Sequence, residues 1–153
     1  MQIAQILTPA RVAVNVPATS KKAVLEQLAE LIATDSAELT SGEVFDAFVA
    51  RERLGSTGLG HGVAIPHCRV AHGDQARGAL VRTAGSVDFD SIDNHPVNLF
   101  FALSVPHEST QEHLDFLAQI AAMFSDDDFT DRLRGVDSAE ELFRLVNGWA
   151  PPA

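Results

Sequence analysis

The residues best suited to chemistry lie around His67, a histidine that directly follows Pro66. Neutral imidazole is a nucleophile near neutral pH, and it can accept and return a phosphoryl group. Proline fixes its own φ and restricts Ile65 before it, so this pair favours a pinned backbone. We therefore expect His67 to end a strand in an exposed and oriented position, although a lone histidine is more often an ordinary polar residue.

A glycine-rich loop, residues 55–62, precedes this histidine and has the sequence GSTGLGHG. Clustered glycines are costly in folding entropy, which a loop tolerates where its backbone turns sharply or lets another group approach. Free N–H groups in such a loop can form an anion-binding nest, and the plainer alternative is a tight connection between a helix and a strand. The candidate loop residues are Gly55, Ser56, Thr57, Gly58, Gly60 and Gly62.

Two further side chains could assist a group bound at His67. Arg51 lies at the end of a predicted helix and offers a fork of donors that matches phosphate oxygens, unless it only favours the helix C-terminus. His113 lies in the first turn of a later helix, where the dipole disfavours a charged imidazole. A neutral ring, or one paired with a phosphoryl group, would remove that conflict, and an exposed residue without a role is the alternative.

The elements before the loop follow from apolar spacing and capping residues. Alternating valines over residues 12–16 predict a strand. Ser20 is suited to cap a helix with an inner face formed by Val24, Leu25, Leu28, Leu31 and Ile32. Thr40 and Glu43 have capping-box spacing and open a second helix with the inner face Val44, Phe45, Phe48 and Val49.

The elements after the loop complete an α/β pattern. Residues 79–83 predict a strand, and the apolar residues 97–105 predict a central strand covered on both faces. Ser109 with Glu112, Ser125 with three aspartates, and Ser138 with Glu141 mark three helix starts. The first of these helices is expected to bury Leu114, Leu117, Ile120, Ala121 and Phe124. The order predicts an α/β fold with a mixed sheet flanked by helices, as one domain over residues 1–153.

Composition narrows the class of partner. The chain has 153 residues and a formal net charge of −10. Such a chain repels nucleic acid and anionic lipid, so a basic protein is the better partner, although the charge could serve solubility alone. One cysteine excludes an intrachain disulfide, and the start lacks a signal sequence, so we expect a cytoplasmic protein without membrane insertion.

The segment 51–67, RERLGSTGLGHGVAIPH, resembles the active-site segment of fructose/mannitol-type enzyme IIA domains of the bacterial phosphotransferase system. Residues 89–97, 103–106 and 113–114 resemble later segments of that family, so the similarity covers essentially the whole chain. Within the family, the stand-alone nitrogen-regulatory enzyme IIA is the most similar member. The resemblance implies a mixed sheet with helices on both sides.

The resemblance also implies roles for the candidate residues. His67 would accept a phosphoryl group, through Nε2, from the phosphohistidine of an HPr-like phosphocarrier protein. Arg51 and His113 match the residues that stabilise the phosphoryl group. Arg51, a protonated His113 and the loop N–H groups could act without a metal or cofactor. Phosphorylation would then regulate the binding of target proteins that the sequence does not identify.

Two positions depart from the family pattern, and they motivate a metal-site hypothesis. His61 stands where a small polar residue is expected, and Cys68 stands where glycine is commoner. With His72, these residues crowd ligand types around His67, but the spacing matches no standard zinc pattern. Neighbouring side chains on an extended strand face opposite ways, which disfavours a shared metal.

Three more functions fit the sequence less well than phosphoryl transfer does. A protein-interaction module that has lost transfer chemistry would have the same fold, although an intact Arg51, His67 and His113 argue against that loss. Asp88, Asp90 and Asp93 lack the glycine and glutamate of a calcium loop, so we expect a polar turn. The glycine-rich loop lacks the P-loop lysine and follows a helix, which excludes the two common nucleotide motifs.

Overall fold

The computed structural model describes residues 3–73, 75–108 and 110–150, apart from the side chains of residues 110 and 112. Within these ranges the strands are β1 (Val12–Val16), β2 (Gly58–Gly60), β3 (Val63–Ala64), β4 (His67–Val70), β5 (Arg77–Val87) and β6 (Val97–Pro106). The α-helices are α1 (Lys21–Ala33), α2 (Ser41–Glu52), α3 (Thr110–Phe124), α4 (Asp127–Gly135) and α5 (Ala139–Asn147). None of these helices is both long and apolar enough to cross a membrane.

The strands form one mixed sheet in the order β1-β5-β6-β3-β2, and β4 also pairs with β6. Strand β6 runs antiparallel to β5 and parallel to both β3 and β4, which follow each other along its second edge. Every residue of 97–105 except Asn98 is buried. The predicted central strand is therefore confirmed, and β6 is the element against which β3 and β4 are aligned.

Alternate side chains of β6 enter two apolar cores, one on each face of the sheet. Phe101 and Leu103 pack into the core beneath α3, α4 and α5. Phe100 and Ala102 pack into the core beneath α1 and α2. The predicted α/β fold, a single domain with a mixed sheet between two helical layers, is confirmed.

The predicted helix caps hold at three of the helix starts. The side chains of these N-cap residues accept the backbone N–H group three positions later, at 3.1–3.2 Å: Ser20, Thr40 and Ser138. Helix α4 differs, because Asp126 is its N-cap and accepts the Phe129 N–H at 3.1 Å. Ser125 instead donates its hydroxyl to the Ala122 carbonyl, so the prediction of a start at Ser125 was one residue early.

The predicted inner face of helix α3 is confirmed for four residues in or against the core, Leu117, Ile120, Ala121 and Phe124, but not for Leu114. Leu114 is 54% exposed, whereas Phe116, Ile120, Met123 and Phe124 are buried. The helix is rotated so that Phe116 rather than Leu114 faces the sheet, and a leucine is left on the surface. The capping box expected from Ser109 and Glu112 lies outside the described residues and side chains.

The strand near His67 is interrupted, which the sequence did not predict. Strand β3 ends at Ala64 and β4 begins at His67, so this histidine starts a strand instead of ending one. Proline has no N–H group to donate to β6, so the strand is interrupted at residues 65–66, although the Pro66 carbonyl still accepts the Leu103 N–H of β6 at 2.9 Å. Strand β5 is also longer than the predicted residues 79–83, because its partner β6 supports pairing from Arg77 to Val87.

The new helix face gives a stability prediction. Phe116→Ala removes a ring from the core and should lower the free energy of unfolding by about 3–5 kcal/mol. Leu114→Ala, two residues away on the same helix, should change it by less than about 0.5 kcal/mol, because that side chain is already in water. Urea unfolding of both variants tests this difference. Equal losses in the two variants would contradict the observed helix face.

Candidate functional site

His67 is oriented by the residues that leave the strand before it. The Ile65 N–H donates to the Thr57 carbonyl at 3.0 Å, not to β6. The Ile65 carbonyl accepts from His67 Nδ1 at 2.8 Å. Both peptide groups of Ile65 therefore point away from β6, and its carbonyl binds one nitrogen of the imidazole ring.

This hydrogen bond determines the tautomer of His67. Carbonyl oxygen only accepts, so Nδ1 must carry a proton. Arg51 Nε donates to His67 Nε2 at 3.2 Å, so Nε2 is the nitrogen with the lone pair. The ring therefore presents Nε2 as its nucleophilic atom toward the arginine.

The His67 ring is held neutral. Burial lowers its pKa below the ordinary value of 6.5, and the neighbouring Arg51 charge lowers it further. The hydrogen bond to Ile65 and the Glu52 carboxylate act in the opposite direction without reversing the shift. His67 is half-buried instead of fully exposed, and this partial burial leaves the Nε2 lone pair unprotonated near neutral pH.

Arg51 is placed by the C-terminal turn of α2. Its Nη1 donates to the Gly55 carbonyl at 2.8 Å while its Nε faces His67. Both interpretations of this arginine from the sequence therefore describe part of what it does. It closes the end of the helix, and it also brings a permanent positive charge to the nucleophilic nitrogen.

His113 completes the group that the structure brings together. Its ring lies edge-on to His67, with centroids 5.3 Å apart. The residue is only 8% exposed. Burial, followed by the proximity of His67, Arg69 and Arg51, lowers its pKa from 6.5 to about 4. The ring is therefore neutral without a phosphoryl group beside it, which is one of the two states that the sequence indicated would remove the conflict with the helix dipole.

The glycine-rich loop lines the site, but three of its N–H groups are not free to bind an anion. The N–H groups of Thr57, Gly58 and His61 already donate to side chains of this chain at 3.0–3.2 Å. These donors are satisfied, so the loop is better described as a fixed wall. Gly60 has a φ of +93°, which explains why glycine occupies that position.

Glu52 is a site residue that the sequence interpretation missed. Its carboxylate accepts from both the N–H and the hydroxyl of Thr57 and pairs with Lys21. The signal was its position between Arg51 and the loop, where an acidic residue is unexpected next to an arginine predicted to bind phosphate. Only the three-dimensional contact with Thr57 distinguishes it from a solvated helix-end charge.

The residues proposed for a metal are not brought together. Among the described residues, no group of three or more histidine, cysteine, aspartate or glutamate side chains is arranged to hold an ion. His72 pairs with Glu43. Burial raises the pKa of Cys68 to about 12, which keeps it a protonated thiol. His72 and Cys68 therefore do not join His67 in a group of three or more ligands within the described residues.

Two aspartates of the suspected calcium loop, Asp88 and Asp93, accept hydrogen bonds from backbone N–H groups. Asp88 accepts from the Asp90 N–H at 3.0 Å. Asp93 accepts from the His95 and His61 N–H groups at 3.1 and 3.0 Å. The contacts are those of a polar turn that also anchors the far end of the glycine-rich loop. His61 does not line either cleft beside His67.

Two shallow clefts flank the His67 ring. One, of about 230 Å³, lies toward the glycine-rich loop and α3. The other, of about 330 Å³, lies between α2 and His113. Exposed leucines edge them, with Leu54 84% and Leu59 44% exposed, and Leu114 follows His113 directly. An apolar rim around a half-buried nucleophile indicates a surface where a macromolecule can seat.

Comparison with known proteins agrees with this geometry. The family model described as "Phosphoenolpyruvate-dependent sugar phosphotransferase system, EIIA 2" matches residues 5–148. A nitrogen regulatory protein of Pseudomonas aeruginosa is 49% identical over 146 residues, which is 95% of both chains. The crystal structure of nitrogen regulatory protein IIA-Ntr from Neisseria meningitidis has a TM-score of 0.88 at 42% identity, over 94% of this chain and 98% of that one.

A more distant structure shares the fold. Enzyme IIAMtl from Escherichia coli, solved in complex with phosphorylated enzyme IIBMtl, has a TM-score of 0.73 at 17% identity. The match covers 94% of this chain and 99% of that one. Together with the nearer relatives, these similarities confirm the resemblance drawn from the sequence.

The backbone at Gly60 gives the first prediction for the site. Gly60→Val forces a β-branched residue into a left-handed conformation and places its Cβ 3.1 Å from the Asp93 carboxylate. The loss of stability should be about 1–3 kcal/mol. Gly85→Ala is the control, because a Cβ there meets nothing within 4 Å. Thermal unfolding of both variants is the measurement, and an unimpaired Gly60→Val would show that the loop needs no special conformation.

The buried His113 predicts an acid-dependent loss of stability. Its pKa is about 4 when folded against 6.5 as the ordinary value. As the pH falls, His113 is protonated in the unfolded chain before it is protonated in the folded chain. The stability that the neutral ring contributes above its ordinary pKa of 6.5 is therefore lost as the pH falls toward the folded pKa of about 4. This residue contributes at most about 1.4 kcal/mol per pH unit. Urea unfolding between about pH 7 and 5 should show a shallower slope for His113→Gln, and a slope equal to that of the wild type would contradict the burial.

Proposed function

This chain belongs to the EIIA 2 family of the phosphoenolpyruvate-dependent sugar phosphotransferase system, and from that premise we propose that His67 carries a phosphoryl group. The observation that carries the proposal is the pair of hydrogen bonds on one ring, from Nδ1 to Ile65 and from Arg51 to Nε2. They present a neutral nucleophile beside a guanidinium. A neutral imidazole nucleophile next to a guanidinium is the combination that phosphoryl transfer to histidine uses.

The transfer step is balanced without an external acid or base. The Nε2 lone pair of His67 attacks phosphorus as the bond from phosphorus to the donor's imidazole nitrogen breaks. The donor leaves as neutral imidazole, and the Nδ1 proton of His67 stays on its hydrogen bond to Ile65. Because similar bonds form and break, catalysis depends mainly on in-line positioning and on stabilising charge on the equatorial oxygens.

Arg51 and His113 are placed to stabilise those oxygens. Arg51 Nε now donates a hydrogen bond to the nitrogen that must attack, so this hydrogen bond must change its acceptor from His67 Nε2 to a phosphoryl oxygen during the step, while the arginine keeps its proton. His113 lies beside His67, and its buried Nδ1 atom has no hydrogen-bond partner among the described residues. A dianionic phosphoryl group would favour a proton on this ring, which reverses the effect of burial on its pKa.

The donor is an HPr-like phosphocarrier protein that docks on the rim of exposed leucines. This apolar rim and the two clefts suit a protein partner that excludes water from the transfer. A net charge of −10 favours a partner with a basic surface. Enzyme IIAMtl, which shares this fold, was solved in complex with a phosphorylated protein, and this supports a protein as the partner.

The second part of the proposal is regulation by phosphorylation-dependent binding of target proteins. Relatives named as nitrogen regulatory proteins support it. A phosphoryl group adds about 1.5–2 negative charges to the surface that carries Leu54 and Leu114. A target that binds this apolar surface would therefore distinguish the two states. A protein that binds targets without ever being phosphorylated is the competing function.

Intact-mass spectrometry tests the acceptor. Incubation with phosphoenolpyruvate, enzyme I and an HPr-like carrier should add one acid-labile phosphoryl group to the wild type and none to His67→Ala. His95→Ala, which removes an exposed histidine elsewhere, is the control and should be modified fully. An adduct on folded His67→Ala would contradict the assignment. A folded wild type without an adduct would favour the interaction module.

The role of Arg51 is tested by transfer rates. Arg51→Ala should slow phosphorylation roughly 10–100-fold without removing the acceptor, as expected for the loss of one charge-assisted hydrogen bond. Arg51→Lys should recover only part of the rate, because lysine lacks the planar fork. Arg53→Ala, an exposed arginine two residues later, is the matched control. A full rate in Arg51→Ala would show that this residue serves only the helix end.

A further inference from the structure

Glu52 is a buried carboxylate whose contacts lead to the nitrogen of His67 that Arg51 does not contact. Its side chain is only 6% exposed and pairs with Lys21 Nζ at 2.9 Å. Lys21 also reaches Asp90 at 3.5 Å and lies over the Phe89 ring, 4.8 Å from its centroid. Burying a charge is costly unless it is paired, so the ammonium group of Lys21, which is distant in sequence, offsets the cost of burying the Glu52 carboxylate.

The second partner of this carboxylate is the wall of the site. Glu52 accepts the Thr57 N–H through Oε1 at 3.2 Å and the Thr57 hydroxyl through Oε2 at 2.5 Å. Thr57 is buried and lines the cleft that contains His67. Both oxygens of the carboxylate are therefore used, and they fix the backbone and the side chain of one loop residue together.

From Thr57 the contacts continue to the nucleophile. The Thr57 carbonyl accepts the Ile65 N–H at 3.0 Å, and the Ile65 carbonyl accepts from His67 Nδ1 at 2.8 Å. The path from the Glu52 carboxylate to the imidazole thus consists of three hydrogen-bonded links. It approaches the nitrogen that does not react.

We propose that Glu52 is a positioning residue for phosphoryl transfer, which acts through Thr57 and Ile65 to hold His67 in the tautomer with the proton on Nδ1. The inference rests on the proposed function of His67. Glu52 keeps the loop wall and the Ile65 carbonyl in place while Arg51, its neighbour in the chain, changes partner during the reaction. Lys21 balances the charge of Glu52 without bringing a second cation to His67.

Two pairs of variants test this role. Glu52→Gln keeps the size of the side chain but puts an amide where two donors and an ammonium expect oxygen. Thr57→Val removes the hydroxyl and keeps the shape, and Thr57→Ser restores the hydroxyl. Glu26→Gln is the matched control, because Glu26 is exposed on α1 and pairs only loosely with Lys22 at 3.8 Å.

Nitrogen-15 NMR of the unphosphorylated protein is the first readout. The wild type should show His67 with a protonated Nδ1 and a bare Nε2, and so should Glu26→Gln and Thr57→Ser. Glu52→Gln and Thr57→Val should show a mixture of both tautomers. A merely structural role would lower stability and leave these nitrogen shifts unchanged, and that result would overturn the proposal.

The transfer rate is the second readout. Glu52→Gln and Thr57→Val should each be slower by about tenfold, because a small misplacement of a nucleophile is costly. The double variant should be no slower than the worse single one, since both act through one contact. If Glu52→Gln fails to fold, the difference between Thr57→Val and Thr57→Ser decides the matter. Rates and tautomers equal to those of the wild type would overturn the proposal.

The two proposals fail in distinguishable ways. A wild type that folds but accepts no phosphoryl group contradicts the proposed function, and the nitrogen shifts then still report whether Glu52 holds the tautomer. A wild type that is phosphorylated together with a Glu52→Gln variant of unchanged tautomer and rate contradicts only the positioning role.

Discussion

The site depends on one hydrogen bond, from Nδ1 of His67 to the carbonyl of Ile65. The carbonyls of Gly62 and Pro66 accept N–H groups of β6, from Leu99 at 3.2 Å and Leu103 at 2.9 Å. Because alternate residues of a parallel strand face opposite neighbours, both peptide groups of Ile65 point away from β6. The Ile65 N–H donates to the Thr57 carbonyl in the glycine-rich loop. The N–H group of Ile65 therefore holds the glycine-rich loop, and its carbonyl holds His67.

Charge is distributed around this bond so that the nucleophile stays neutral. Arg51 faces the reactive nitrogen, and the contacts of Glu52 lead through Thr57 to the other nitrogen of the ring. Burial lowers the pKa of both His67 and His113, so two imidazoles can lie with ring centroids 5.3 Å apart without mutual repulsion. An incoming phosphoryl dianion changes that balance, because its negative charge favours a proton on the His113 ring and attracts the Arg51 guanidinium.

Local patterns were sufficient to predict much of the fold and part of the site. Capping residues located α1, α2 and α5, and the apolar residues 97–105 identified the central strand. The predictions that failed concerned features that depend on contacts between residues distant in sequence. The start of β4 at His67 is set by its register with β6. The burial of Phe116 in place of Leu114 is set by the packing of α3 on the sheet. The role of Glu52 depends on its contacts with Thr57 and Lys21. Spacing along one segment does not contain these contacts.

The most direct test of the account is the position of the phosphoryl group on the ring. Nitrogen-15 and phosphorus-31 NMR of the phosphorylated chain should show phosphorus coupled to Nε2 of His67, with the Nδ1 proton still present and protected by its hydrogen bond to Ile65. A phosphoryl group on Nδ1, or on any other residue, would contradict the account, because the observed geometry leaves only Nε2 free to attack.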